Sequence, residues 1–254
     1  MILAIDIGNT NTVIGGCKDG KILFRETLST AHTATTLEYA ALIRTAFELN
    51  GEDHRSIEGG IISSVVPSLT LTVKEAVRRL TGVTPMVVGP GIKTGLSIMI
   101  DNPAQLGSSM VVNAAAGIKN YPLPLIIIDM GTATTLSVID GKGSHIGGMI
   151  VPGLRVSLDS LVTKASQLPR IALEPPKRII GRNTVECLKS GVLYGCAGMI
   201  DGLISRINGE MGEVCTAVAT GDAAGAVVPL CKSTIIIDED LPLKGLMIIY
   251  DKNK

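Results

Sequence analysis

The fold of this chain is decided by its first stretch, Leu3-Ala4-Ile5-Asp6-Ile7-Gly8-Asn9-Thr10-Asn11-Thr12-Val13-Ile14-Gly15-Gly16. An apolar run ends on a carboxylate, a turn of glycine, amides and hydroxyls follows, and a second apolar run begins. This order predicts a strand, a tight polar turn and a return strand. The turn also suits a phosphate group, because Gly8 lets the backbone come close and the N–H groups of residues 9–12 can point at anionic oxygens.

The polar side chains of this turn predict a nucleotide-phosphate site. Asp6 lies at the end of the first strand, where its carboxylate could hold a hydrated divalent cation against a phosphate. Thr10 and Thr12 add hydroxyl donors. For this stretch alone, an ordinary hairpin that uses Asn and Gly only for turn geometry is an equally good interpretation.

A second copy of the pattern favours the phosphate-site interpretation. Residues 125–140 again contain an apolar strand, an Asp-x-Gly turn rich in threonine and an apolar return strand. Asp6 aligns with Asp129 and Thr12 with Thr135, an offset of 129 − 6 = 123 residues that is close to half of the 254-residue chain. We expect two similar halves, each presenting one such turn to a shared cleft.

The remaining pattern is that of an α/β protein. In each half, three strands in succession precede alternating helices and strands. The helical patterns cover residues 35–49, 69–80, 154–164, 184–209 and 222–228. Glycine, asparagine and two prolines cluster in residues 117–124, which predicts a boundary there and halves spanning residues 1–118 and 119–254.

Composition excludes several classes of partner. Lys plus Arg and Asp plus Glu both number 23, so a nucleic acid or an anionic membrane has no electrostatic reason to bind. No apolar run has the length of a membrane span, and no signal peptide is indicated. The five cysteines are scattered and none has C-x-x-C spacing, which argues against zinc and a disulfide framework and favours a reducing cytoplasm.

Two motifs carry a family resemblance. They are Asp6-Ile7-Gly8-Asn9-Thr10 and Asp129-Met130-Gly131-Thr132-Ala133-Thr134-Thr135. With them the chain resembles the type III pantothenate kinases, in the superfamily of actin-like ATPases and sugar kinases. The resemblance runs through Ser63–Pro67, Asp101–Pro103, Gly147–Gly153, Leu168–Arg170, Gly181–Thr184 and Leu243–Leu246, and covers essentially the whole chain.

The resemblance implies a fold and a reaction. The fold is a pair of ribonuclease-H-like domains, each a mixed five-stranded sheet with helices, with a cleft between them. The reaction is ATP-dependent phosphorylation of pantothenate to 4′-phosphopantothenate, the first step of coenzyme A biosynthesis. ATP with Mg²⁺ and a monovalent cation, K⁺ or NH₄⁺, are the implied cofactors, and a homodimer is the implied assembly.

The resemblance also assigns residues. The ATP-binding residues are Asp6, Gly8, Asn9, Thr10, Asn11, Thr12 and Thr132. Asp6 is assigned to the divalent cation through water, and Asp129 to the monovalent cation. The substrate side takes Ile100, Gly107, Ser108, Ser109, Met110 and Thr184. For Thr184 a helix-start hydroxyl is the competing interpretation.

The catalytic segment departs from the family pattern. Ser109 stands where the family has the aspartate that takes the proton of the pantothenate hydroxyl, and Met110 stands where an arginine holds the pantothenate carboxylate. Ile100 replaces a tyrosine of the pantothenate pocket, and arginines usual near residues 33–35 are absent. Asp101 is the nearest carboxylate that could act as base instead, although capping of the Asn102-Pro103 turn explains it better. We therefore expect weak pantothenate activity or none.

Three functions remain open at this stage. The first is the pantothenate kinase. The second is a catalytically impaired kinase-fold paralog that acts as a nucleotide-binding or regulatory protein. The third is a kinase for another hydroxyl compound without a carboxylate, because Ile100 and Met110 make the substrate side more apolar.

Some smaller features have two interpretations. Gly191, Gly195, Gly198 and Gly202 line one face of the predicted long helix, which indicates close approach of another helix from a second subunit or from the same chain. Asp222, in a turn that the resemblance places by the adenosine, is interpreted as a helix N-cap. His32, His54 and His145 are expected to be solvated.

Overall fold

The computed structural model describes residues 1–254, which form two compact units. The first unit comprises Met1–Asn120 and Asp240–Lys254, and the second comprises Tyr121–Glu239. The expectation that the second half runs to residue 254 is therefore wrong for the last segment, which belongs to the first unit.

The first unit is a mixed five-stranded sheet with helices. Its strands are β1 (Ile2–Ile7), β2 (Asn11–Lys18), β3 (Lys21–Ser29), β4 (Gly59–Ser64) and β5 (Met86–Val87). The short β6 (Ser97–Ile98) is not part of this sheet. The sheet order is β3-β2-β1-β4-β5, with β1 antiparallel to β2 and parallel to β4. The helices are α1 (Thr36–Leu49), α2 (Pro67–Thr81), α3 (Ser108–Asn120) and α7 (Leu241–Asp251).

The second unit repeats this architecture. Its strands are β7 (Leu125–Met130), β8 (Ala133–Ile139), β9 (Ser144–Pro152), β10 (Thr216–Thr220) and β11 (Ile236–Ile237), and its helices are α4 (Leu154–Lys164), α5 (Thr184–Met211) and α6 (Ala224–Val227). The order β9-β8-β7-β10-β11 matches that of the first sheet strand for strand. The predicted pair of similar mixed sheets is confirmed.

The first sheet is buried on both faces. Leu3 and Ile5 of β1 join one apolar cluster with α1 and α2, while Ala4 joins another with α3 and α7. Successive side chains of a strand point to opposite faces, so a continuous apolar run is what a strand between two helical layers needs.

Helix α7 explains why the C-terminal segment belongs to the first unit. Leu243 and Leu246 are fully buried in the cluster that contains Val112 of α3. Gly15 of β2 makes room for this packing, since a Cβ there would collide with the Leu243 side chain. Periodicity predicts that α7 has an apolar face but does not identify the unit that covers it.

Gly245 is expected to be essential to this packing. A Cβ at Gly245 would collide with the backbone carbonyl of Val112, and backbone cannot give way as a flexible side chain can. Gly245→Ala should therefore destabilise the protein by about 1–3 kcal/mol. The matched control is Gly209→Ala in α5, where nothing lies within 4 Å and helix propensity favours alanine. Thermal unfolding of both variants tests this, and a Gly245→Ala protein as stable as native would contradict it.

Helix α5 has one buried face and one glycine face. Leu193, Ala197 and Ile200 are buried in the second core. A Cβ at any of the four stripe glycines would meet no atom within 4 Å, so the interpretation that the stripe packs against a helix of the same chain is wrong. By length and composition α5 passes the test for a membrane span, as core helices of folded domains also do.

Candidate functional site

The first Asp-x-Gly turn closes the β1–β2 hairpin. Ile7 is paired with Thr12 across the two strands, and the Gly8 N–H donates to the Asn11 carbonyl at 2.9 Å. Asn9 and Thr10, at the tip, are exposed. The tip is therefore accessible to a ligand, as the sequence predicted.

Thr12 does not belong to that accessible surface. It is fully buried, and its hydroxyl lies 2.9 Å from that of Thr30, which donates to the Gly8 carbonyl at 2.8 Å. Because a hydroxyl has one proton, Thr12 donates to Thr30 and braces the turn. The structure thus does not support the predicted hydroxyl contact of Thr12 with phosphate, and Thr10 is the accessible hydroxyl.

Two contacts of the turn were missed by the sequence interpretation. The Thr30 N–H donates to the Thr10 carbonyl at 2.8 Å, and the His32 ring nitrogen Nε2 lies 3.0 Å from the Asn9 carbonyl. His32 is exposed, as expected. The sequence pattern did not predict that Thr30 and His32 contact the turn, because these contacts form only when β3 pairs with β2.

Asp6 occupies the end of β1. It is paired in parallel with Ser63 of β4, and the Ser63 hydroxyl hydrogen-bonds its carboxylate. Burial raises the pKa of Asp6 to about 6, and the hydrogen bond from Ser63 opposes this rise. Burial disfavours the charged form of the carboxylate, so a cation bound nearby would stabilise that charged form.

The carboxylate donor set fits Mg²⁺. Across residues 1–254, no three His, Cys, Asp or Glu side chains group into a preformed metal site, and Asp6 stands beside the turn as a single carboxylate. Mg²⁺ usually keeps several waters and is bound by one or two carboxylates together with substrate phosphates. One carboxylate beside a phosphate-type turn suits that mode.

Hydrogen bonds of Ser108 hold the start of α3 beside Ser63 and Asp6. Its hydroxyl donates to the Ser64 carbonyl at 2.9 Å and lies 3.2 Å from the Ser63 hydroxyl oxygen. The structure therefore brings the predicted substrate segment, residues 107–110, close to Asp6. Ser63 was not predicted, although two serines ending the apolar strand β4 are a recognisable signal.

Ser109 and Met110 follow in the first turn of α3, where both are half-buried. No hydrogen bond to a histidine or a carboxylate activates the Ser109 hydroxyl. Ile100 is also half-buried, whereas Asp101 is exposed. The turn at Pro103 is capped by Asn102, whose side chain accepts from the Ala104 N–H at 3.2 Å; the capping role expected of Asp101 is wrong.

The second Asp-x-Gly turn is one residue shorter than the first. Asp129 pairs with Thr135 and Met130 with Thr134, so the structural counterpart of Thr12 is Thr134. The alignment of Thr12 with Thr135 is wrong by this one residue. Thr134 is buried, like Thr12, and Thr132 at the tip is exposed, which suits its predicted contact with the nucleotide.

Helix α4 begins against this turn. The Gly153 N–H donates to the Thr132 carbonyl at 3.1 Å, and a Cβ at Gly153 would collide with the carbonyl oxygens of Gly131 and Thr132. Gly153 therefore sets how closely the turn and the helix approach each other.

The end of β10 lies beside Asp129. Thr220 pairs with Asp129 in parallel register, and a Cβ at Gly221, which has φ +90, would lie 2.8 Å from Asp129 Oδ1. The Thr220 hydroxyl is buried without a hydrogen-bond partner. A carboxylate and an unsatisfied hydroxyl oxygen are ligands that suit a hard monovalent cation, so these residues fit the cation assigned to Asp129.

Asp222 is not a helix cap. Helix α6 begins only at Ala224, with Ala223 at the N-cap position and no side-chain hydrogen bond. The helix predicted for residues 222–228 is accordingly shorter in the structure. Asp222 is exposed.

Helix α5 starts beside Thr184. Its N-cap is Asn183, which accepts from the Glu186 N–H at 2.9 Å, so capping does not explain Thr184. Thr184 is exposed and stays a predicted substrate residue.

His145 differs from expectation. It is only 1% exposed, with neither ring nitrogen hydrogen-bonded, and burial lowers its pKa. The expectation that it is solvated is wrong, because β9 turns this side chain inward.

Comparison with known proteins identifies one family. The family model described as type III pantothenate kinase matches residues 2–206. The type III pantothenate kinase of Anaeromyxobacter sp. (strain Fw109-5) is 40% identical over 254 residues, covering 100% of both chains. That of Geotalea daltonii is 43% identical over 255 residues, covering 100% of this chain and 99% of the other.

A solved structure shares the fold at much lower sequence identity. The activator of the 2-hydroxyisocaproyl-CoA dehydratase from Clostridium difficile with bound ADPNP superposes with a TM-score of 0.58 at 14% identity. The match covers 98% of this chain and 93% of the activator. At this identity the likeness concerns the fold alone.

Proposed function

Since the chain belongs to the type III pantothenate kinase family, we propose that it transfers the γ-phosphoryl group of ATP to the hydroxyl of pantothenate. The product is 4′-phosphopantothenate, at the start of coenzyme A biosynthesis. The observation that carries the proposal is the match over the full length of the chain, with both Asp-x-Gly turns built as hairpins at equivalent strand ends. The five free cysteines agree with a reducing cytoplasm as the setting.

The first turn has the phosphate role in this proposal. Asn9 and Thr10 are exposed beside Gly8 and, with Asn11, would contact the phosphates, while Asp6 would hold Mg²⁺ through water. When bound, Mg²⁺ neutralises charge that develops on the transferring phosphoryl group. Most of the rate of phosphoryl transfer comes from such positioning and charge stabilisation, and the chain retains the residues for it.

The second turn has the supporting role. We assign Thr132 to the nucleotide, and Asp129 with Thr220 to a monovalent cation, K⁺ or NH₄⁺. The buried unsatisfied hydroxyl of Thr220 supports the cation, because an unmade hydrogen bond of a buried group costs about 1–3 kcal/mol that a bound ion would offset.

The substrate side limits the rate. The serine at position 109 has no activating partner, and Met110 cannot pair with a carboxylate. A general base typically contributes about 10²–10⁴-fold in rate, so the native chain is expected to be a slow pantothenate kinase. The relatives, which match over the whole chain, do not favour an impaired paralog as its function.

We also propose that the chain forms a homodimer through α5. The glycine stripe offers a surface that another helix can approach closely, since a Cβ at each of its four glycines would meet no atom within 4 Å. Beside it runs a groove of ≈ 420 Å³ between α4 and α5, lined by Leu154, Leu161 and Leu188 among others. A gel-filtration mass of one chain would contradict this assembly.

The function is tested by following ADP release from the purified chain with MgATP and K⁺, with and without pantothenate. We expect slow release that depends on pantothenate and is stimulated by K⁺. Release that is the same in the absence of pantothenate would contradict the proposal. A parallel screen of small alcohols without a carboxylate would then show whether another hydroxyl compound is the acceptor.

A further inference from the structure

Three side chains from three elements meet at the end of the first sheet. They are Asp6 of β1, Ser63 of β4 and Ser108, the first residue of α3. Ser63 is fully buried and lies between the other two, with its hydroxyl hydrogen-bonded to the Asp6 carboxylate and 3.2 Å from the Ser108 oxygen. Ser63 therefore links Asp6 to Ser108.

The number of hydroxyl protons determines which serine donates each hydrogen bond of this network. The Ser108 hydroxyl has one proton, which it gives to the Ser64 carbonyl at 2.9 Å. Towards Ser63 it can therefore only accept. The single proton of Ser63 is shared between Ser108 and the carboxylate, so the position of Ser108 controls how Ser63 meets Asp6.

We propose that Ser63 and Ser108 are positioning residues that orient the Asp6 carboxylate, with Ser108 acting through Ser63. This inference rests on the proposed function, in which Asp6 binds the hydrated cation of MgATP. It means that the first turn of α3, which also carries Ser109 and Met110, is mechanically tied to the cation-binding carboxylate. Partners that orient a ligand of a metal typically contribute about 10–100-fold to metal affinity.

A double-mutant cycle tests the proposal by binding rather than turnover. The Mg²⁺ concentration for half-maximal ATP binding is measured by calorimetry, without pantothenate, for the native chain, Ser63→Ala, Ser108→Ala and the double variant. We expect Ser63→Ala to raise it about tenfold and Ser108→Ala to change it by less than that, because Ser108 acts only through Ser63. In the Ser63→Ala background, Ser108→Ala should have no further effect, since two residues that act through one contact are not additive.

Two control variants separate positioning from folding. Ser56→Ala removes a serine hydroxyl that donates to a backbone carbonyl at 2.7 Å, as Ser108→Ala does, but without a link to Asp6; its Mg²⁺ dependence should equal that of the native chain. Ser108→Thr keeps the hydroxyl and should restore native Mg²⁺ dependence. Thermal unfolding confirms that each variant is folded.

The outcomes distinguish this inference from the proposed function. Equal effects of Ser108→Ala in both backgrounds, or an unchanged Mg²⁺ requirement in Ser63→Ala, would overturn the inference. A native chain that binds MgATP but does not phosphorylate pantothenate would overturn the proposed function alone, and the cycle would still decide the inference.

Discussion

Replacing Asp6 with asparagine is expected to abolish kinase activity and, at pH 8 without metal, to make the protein more stable. The buried carboxylate has its pKa raised from 3.8 to about 6. The folded state therefore holds the Asp6 proton more tightly than the unfolded state does. Stability from this group is fully present below pH 3.8 and is lost as the pH rises through 6.

The size of the effect follows from the shift. One pKa unit corresponds to about 1.4 kcal/mol. Because the Asp6 residue is half-buried rather than fully enclosed, solvent reduces the effect, and we expect a gain of about 1–3 kcal/mol for Asp6→Asn at pH 8. This corresponds to a rise in Tm of roughly 2–4 °C per kcal/mol. The gain should vanish near pH 4, where the native carboxyl is protonated.

The measurement is thermal unfolding of both proteins from pH 4 to pH 8 in chelator, with ADP release measured separately. Asp19→Asn is the control, because Asp19 is exposed in the β2–β3 turn and asparagine tolerates its φ of 51. A variant that is less stable than native at pH 8 would show that Asp6 has a stabilising partner. Retained activity in Asp6→Asn would remove Asp6 from the site.

Substituting Ser109 and Met110 in α3 with the residues predicted for the family pattern should greatly increase the pantothenate kinase rate. In the double variant Ser109→Asp/Met110→Arg, the new carboxylate supplies a proton acceptor, worth about 10²–10⁴-fold. The new guanidinium supplies a charge-assisted contact worth about 1.5–3 kcal/mol, or roughly one to two decades in affinity. Both positions are half-buried in the first turn of α3, where a carboxylate is also favoured by the helix dipole.

The single variants separate the two contributions. Ser109→Asp should raise kcat, whereas Met110→Arg should lower KM for pantothenate, and KM for ATP should change in neither. Steady-state kinetics of the native chain, both single variants and the double variant give these values. Equal pantothenate activity in the native chain and the double variant would mean that the native chain already has another proton acceptor.

The duplicated architecture was predictable because its signals are local. Alternating polarity, the Asp-x-Gly turns and the glycines and prolines between elements depend on residues a few positions apart. They identified the hairpins that place Asp6 and Asp129 at strand ends. They also predicted the bounds of α4 at residues 154–164, which the structure reproduces.

Contacts between distant segments were not predictable from these signals. The link from Ser108 to Ser63 joins residues 45 positions apart, and the bracing of the first turn by Thr30 depends on how β3 pairs with β2. The counterpart of Thr12 in the second half is Thr134 because the second Asp-x-Gly turn is one residue shorter than the first. A one-residue difference in turn length shifts every residue pair of the following strand.

The sequence by itself determined the two Asp-x-Gly hairpins, the α/β class and the family, and it predicted that Ser109 stands where the family has its usual base. Tertiary structure alone decided that α7 completes the first unit, that Thr12 and His145 are buried, and that Ser63 contacts Asp6 while Ser108 contacts Ser63. The physical reason is that periodicity and turn chemistry are properties of neighbouring residues, whereas burial and side-chain hydrogen bonds depend on which distant surfaces pack together.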